Sequence, residues 1–168
     1  MLEFNITHQS VKRVDRFAPA TDSVDYLKAK FNFLTEDWTG TTKKALFRED
    51  KSTKPYEVLI NSDGVCSVPW EVLVSPDNKF SALSGGIVKI FVSVVGATGT
   101  VTIPTNEVRI EINISGLAES LNTTEPTPDV YQQFVKEAQE IADAIGDIDS
   151  AVITLNEIAD SLIGGESE

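Results

Sequence analysis

One cysteine and one histidine among 168 residues leave little room for the commonest kinds of catalysis. Cys66 has no second thiol for an intrachain disulfide and cannot build a cysteine metal site, so a small buried residue on a strand is expected there. His8 is the sole imidazole, and any Ser-His-Asp or Cys-His arrangement would rest on it. The adjacent acids Glu36-Asp37 and Glu49-Asp50 point apart on an extended chain and make poor acid–base partners. Asn61-Ser62-Asp63 matches no complete calcium loop. Neither GxGxxG nor a P-loop occurs, and Gly96-Ala97-Thr98-Gly99, which lacks the lysine, predicts a hairpin turn. The expectation is of no enzyme, no catalytic residue, no cofactor and no metal, hence of a binding or structural role. Long apolar runs are missing as well. Ile90 to Val95 is interrupted by Ser93 and falls far short of a bilayer span. The opening residues, MLEFNITHQSVKR, are polar where a signal peptide needs an apolar stretch, which predicts synthesis in a cytosol.

Basic charge is scarce at one end only. Residues 1–116 carry 14 acids and 13 bases, whereas residues 117–168 carry 12 acids and one base, Lys136. An acidic tail of this kind disfavours nucleic acid and anionic membrane as partners, because phosphate binding needs clustered Lys and Arg. The change near Gly116 also marks a change of structure.

Before Gly116 the hydrophobic period is two, the pattern of strands buried on one face. Leu2, Phe4 and Ile6 alternate with polar residues, as do Leu27, Ala29, Phe31 and Phe33, then Tyr56, Val58 and Ile60, then Val88, Ile90, Val92 and Val94, and most regularly Val108, Ile110, Ile112 and Ile114. A weaker strand is predicted over Thr42 to Phe47. Turn signals at Asp37–Gly40, Asn61–Gly64, Ser75–Asn78, Gly85-Gly86 and Gly96–Gly99 separate these runs. Six to eight short strands without intervening helices predict a mainly β fold, an immunoglobulin-like two-layer sandwich over residues 1–118. Within Val65 to Leu73, Pro69 interrupts what would otherwise be a central strand. It is expected as the first residue of one helical turn crossing between the sheets, with Trp70 and Leu73 on the same side and Trp70 closing the core.

A Pro/Thr-rich linker is expected over residues 119–128, then a helical segment over 129–163 and a frayed tail over 164–168, with Gly164-Gly165 as the stop. Pro126 and Pro128 hold an extended exit, and Asp129 favours the positive end of a helix. From Tyr131 the apolar residues keep a 4-3 spacing. Tyr131, Ala138, Ile145, Val152 and Ala159 fall at a, and Phe134, Ile141, Ile148, Leu155 and Leu162 at d. An unbroken repeat of this length predicts a coiled coil or bundle, and isoleucine at both a and d leans toward three strands. Gly146, followed by Asp147, leaves open a helical hairpin that turns there.

Four stretches taken together, FNFLTEDWTGTTKKALF (31–47), CSVPWEVL (66–73), TIPTNEV (102–108) and EPTPDVYQQF (125–134), resemble the N-terminal domain of upper-baseplate and related tail proteins of long-tailed phages and prophages of Gram-positive bacteria. The resemblance spans residues 24 to 134, in the same order. It implies a β-sandwich that docks into the baseplate, followed by helices that trimerise and present receptor-binding proteins at the host surface. It brings no catalytic residues. Its structural positions are Trp38 and Gly40, then Pro69, Trp70 and Leu73, then Pro104 and Thr105, then Pro126, Pro128 and Tyr131. Longer members continue into distal modules, whereas this sequence ends at Glu168. The expectation is therefore a structural protein of the virion, made in the bacterial host cytoplasm. Its expected partners are itself as a homotrimer, other tail or baseplate proteins, and a receptor-binding protein at the helical end. The alternative is a carbohydrate-binding module that contacts the host wall through Trp38, Tyr56 or Trp70.

Overall fold

Period-two alternation produces strands wherever one face of a segment can be covered, and the computed structural model contains nine among the described residues. It describes residues 1–76, 87–117 and 126–163, the side chains of 158–163 excepted. The expected turn at Gly85-Gly86, the stop at Gly164-Gly165, the frayed tail and most of the linker lie outside the described residues. The strands are β1 (Leu2–Thr7), β2 (Ser10–Arg13), β3 (Lys28–Phe33), β4 (Thr42–Glu49), β5 (Tyr56–Leu59), β6 (Val65–Ser67), β7 (Ile87–Thr98), β8 (Val101–Pro104) and β9 (Val108–Asn113). Among the described residues one α-helix, α1 (Val130–Ile163), follows them. The fold is mainly β, 39% strand in two sheets, with one C-terminal helix. The chain divides into two units, Met1–Val130 and Tyr131–Glu168.

In the first unit one sheet runs β2-β1-β3-β6. The other runs β5-β4-β7, and β8 and β9 both pair with the far side of β7. Inward residues of both sheets form one buried core in a sandwich-like arrangement: Phe4 and Ile6 of β1, Phe31 of β3, Phe47 of β4, Val92 of β7 and Ile110 of β9 are at most 2% exposed. β1 and β3 are parallel, in a register that sets Phe4 beside Phe31, and their rings stack with centroids 5.0 Å apart. A parallel pair needs a crossover connection. Here residues 14–27 leave the first sheet, and Thr21 N donates to Asn113 O while Asn113 N donates to Pro19 O, so the connection touches the end of β9 before returning as β3.

That connection is pinned at both ends. Asp15 accepts from the Arg13 guanidinium and from the backbone N–H groups of Glu3 and Phe17. Burial alone would push its carboxyl up, but these donors and the Arg13 charge hold it at about 2. At the other end Asp22, in the left-handed region at φ 62°, accepts from the hydroxyls of Thr21, Ser75 and Ser115, and its N–H donates to Leu73 O. One carboxylate thus ties three segments of the first unit together.

The predicted strands appear, with four differences. The segment over 42–47 is no minor strand. β4 pairs with both β5 and β7, and its Ala45 and Phe47 are fully buried; Lys44 and Arg48 on its other face, with Lys43 next to Ala45 on the same face, diluted the hydrophobic signal. Pro69 precedes a short 3-10 helix at Trp70–Leu73 rather than starting it, because its ψ of 133° is extended. Val72 and Leu73 are the buried residues of that helix, while Trp70 is only half-buried. The tryptophan in the core is Trp38, 1% exposed at the end of a 3-10 helix over Glu36–Trp38. Finally, the β7–β8 turn is Gly99-Thr100, and Gly96 belongs to β7.

The last two differences have one cause. The Trp38 ring lies over Gly96, where a Cβ would come within 2.8 Å of Trp38 Cζ3. Its Nε1–H donates to His8 O at 2.9 Å, and its ring lies 5.2 Å from that of Phe33. Glycine at 96 is therefore a matter of space rather than of turn geometry. A methyl group there overpacks a full core, which typically costs about 1–3 kcal/mol. Gly96→Ala should lower the melting temperature accordingly, while Gly116→Ala, where a Cβ meets nothing within 4 Å, should leave it nearly unchanged. Equal stability of the two variants would contradict this packing.

Candidate functional site

The exit of the first unit is fixed by two prolines and one carboxylate. Pro126 and Pro128 restrict the backbone on either side of Thr127. The Thr127 N–H donates to Glu71 Oε1 at 2.6 Å, and its hydroxyl donates to Oε2 at 2.7 Å. Glu71 belongs to the 3-10 helix after Pro69, so the expected crossover and the expected exit meet at one side chain. Two hydrogen bonds to an ionised acceptor are stronger than neutral ones and fix direction as well as position. Beside this clamp, within the first unit, is a pocket of about 480 Å³ walled by Lys54, Pro55, Tyr56, Glu57, Thr127 and Pro128. That is the size range of small-ligand clefts. Burial pushes the Tyr56 phenol up, and the carboxylates of Glu71 and Glu49 add to the shift. Glu57 accepts from Lys44 Nζ at 2.6 Å.

The described residues of the second unit belong to α1, a helix of 34 residues that runs through Gly146 without a break, so no hairpin forms there. Ser150 Oγ donates to Gly146 O and Thr154 Oγ1 to Ser150 O, each closing a turn on the polar side. The a and d side chains Tyr131, Phe134, Ile141, Ile145, Ile148, Val152 and Leu155 are between 49% and 76% exposed. Leu162 continues the repeat in α1, but its side chain lies outside those described. Large exposed apolar groups are ordinary when scattered. Seven on one helical stripe are not, since contiguous apolar surface of this kind marks an interaction site.

The remaining positions named from sequence hold the first unit together. Gly40 takes a φ of 71° after the 3-10 helix that ends at Trp38. Pro104 ends β8. Thr105 fills a bulge: Val95 pairs with Pro104 and Val92 with Val108, so two residues of β7 face three of the partner strand. Thr105 closes that gap by donating its N–H to Val94 O and accepting the Val94 N–H on its hydroxyl, both at 2.9 Å. Its neighbour Asn106 accepts from Val11 N of β2, a bond from the bulge to the other sheet. The aromatic candidates for sugar stacking separate: Trp38 is inside the core, Trp70 is half-buried, and Tyr56 lines the pocket.

His8 sits exposed in the β1–β2 turn at φ 50°, its Nδ1 2.6 Å from Asp37 Oδ2; among the described residues its ring bonds no hydroxyl or thiol. Cys66 is buried, and burial pushes its thiol up to about 12, against a small opposing effect of Lys28. The Asn61 side chain accepts from the N–H groups of Asp63 and Val65 and so closes the turn over 61–64. Among the described residues no group of three or more His, Cys, Asp or Glu is placed to hold a metal, and no helix is long and apolar enough to cross a membrane.

Sequence reasoning missed the Glu71–Thr127 clamp, which joins residues 56 positions apart. It also missed β2 and β8, which at four residues each are too short to display a period. Comparison with models of known protein families gave no match, nor did comparison with curated proteins.

The clamp can be tested alone. Hydrogen bonds to charged groups contribute about 1.5–3 kcal/mol, so in Glu71→Gln the Thr127 amide should exchange with solvent about tenfold or more faster. Glu57→Gln, at the pocket wall, should not change it. Unchanged exchange in Glu71→Gln would show that the clamp does not hold the exit.

Proposed function

We propose that this chain is a non-enzymatic structural protein of a phage or prophage virion, an adaptor in the tail tip or baseplate. The first unit, an immunoglobulin-like sandwich in this reading, docks onto other tail proteins. The helix forms a coiled coil with two further copies of the chain and carries or presents a partner such as a receptor-binding protein. The observation that carries the reading is the unbroken helix with its apolar stripe open to water. Burying a large aliphatic or aromatic side chain contributes about 1.5–3 kcal/mol, and a second and third copy would each bring the complementary stripe. Isoleucine at Ile141, Ile145 and Ile148 supports three strands over two. The resemblance of residues 24–134 to upper-baseplate proteins supplies the setting, and the clamp at Thr127 fits a first unit that is ordered to its end.

A second reading, a module that contacts host-wall carbohydrate, is favoured by one observation, the pocket walled by Tyr56 and two prolines. Under it, Tyr56→Ala abolishes retention on wall polysaccharide; wild-type protein that shows no retention would exclude it.

Sedimentation tests the first reading. At tens of micromolar and about 0.15 M salt, the intact chain should run at three times its 18.3 kDa mass. The double variant Ile145→Asp, Ile148→Asp should run at one. A wild-type monomer under these conditions would contradict the trimer.

A further inference from the structure

We infer that assembly through α1 is gated by ionic strength, a regulation that rests on the assembly reading above. Between residues 131 and 157 the helix carries six acids, Glu137, Glu140, Asp143, Asp147, Asp149 and Glu157, against the single base Lys136. All of them are exposed. Lys136 already lies 3.9 Å from Glu140 on its own helix, an i,i+4 pair, and so offers little to a neighbouring copy.

The heptad register removes the usual remedy. In parallel coiled coils, residues at g and at the following e of the next helix form the ion pairs that favour assembly. Here Glu137 at g would face Ala142 at e, and Asp149 at e would face Ala144 at g. Each flanking acid meets a methyl group, and no cross-helix ion pair offsets the net charge. Close packing is allowed, because the like charges do not touch. They are nonetheless confined to a rod about 30 Å long, at 1.5 Å per residue from Glu137 to Glu157, on helices about 8–10 Å apart.

Screening then decides the outcome. The Debye length is about 30 Å at 0.01 M salt and about 8 Å at 0.15 M. At the lower salt every acid of one copy repels every acid of its neighbours. At the higher salt the outward charges, at c and f, lie beyond one Debye length of those on the next helix. The apolar stripe drives assembly in both cases, and its acids set the salt at which it succeeds.

Sedimentation of the intact chain over a range of concentrations, at about 0.01 M and about 0.15 M sodium chloride, tests this beside a variant carrying Glu140→Gln, Asp143→Asn, Asp147→Asn and Glu157→Gln. These four positions lie outside a and d, so the stripe is untouched. The concentration for half-assembly of the wild type should fall about tenfold or more between the two salts, while that of the variant should be lower at 0.01 M and nearly independent of salt. Wild type that assembles equally at both salts would overturn the gating and leave the assembly standing. A variant that depends on salt as steeply as wild type would also overturn it, since salt would then be acting on the apolar contacts. Monomers in both proteins at both salts would overturn the assembly reading itself.

Discussion

The burial of the stripe on α1 is the requirement from which the behaviour of the second unit follows. Most helical stability in proteins comes from packing an amphipathic face rather than from intrinsic propensity. In α1 that face is exposed from Tyr131 to Leu155, and Gly146 weakens the helix interior by about 1 kcal/mol relative to alanine. Under the assembly proposed above, such a helix gains its packing where several copies meet. The acids on its remaining surface oppose the same event at longer range, so contact and charge act in opposite directions along one rod.

The first unit meets the reverse demand. It must hold a definite shape up to the point where the helix begins. Its devices are polar groups placed where strand pairing fails: Thr105 across the bulge between β8 and β9, Asp22 with three hydroxyls at the end of the crossover, and Glu71 around Thr127 at the exit. Each ties segments far apart in sequence. In the core the equivalent device is Trp38 over Gly96, a large side chain admitted by a missing one. Together they order the first unit from its core to Thr127.

Much of this was legible in the residues. Alternation located β1, β3, β5, β7 and β9, because each buries one face and exposes the other. The 4-3 spacing located α1 to within a residue of its start. What escaped has a common physical character. β4, central in its sheet, carries Lys44 and Arg48 on its other face and Lys43 near the start of its inward one, so composition hid its burial. Trp38 rather than Trp70 fills the core because the room for it is provided by Gly96, nearly sixty residues away, and a glycine in a Gly-rich stretch suggests a turn. The carboxylate clamps of Asp22 and Glu71 leave no periodic trace, since they join single positions through tertiary structure. At the candidate site, the stripe was visible in full and the Glu71–Thr127 clamp and the pocket beside it were not.

The most direct measurement of the central claim is the ellipticity of α1 as a function of chain concentration. If the stripe is the buried seam of a multi-chain bundle, the midpoint of helix melting should rise as the chain is concentrated from sub-micromolar to hundreds of micromolar, while the melting of the β unit, followed by Trp38 fluorescence, stays fixed. A helix transition with the same midpoint at every concentration would mean that α1 is stable as a single chain, and would contradict the account.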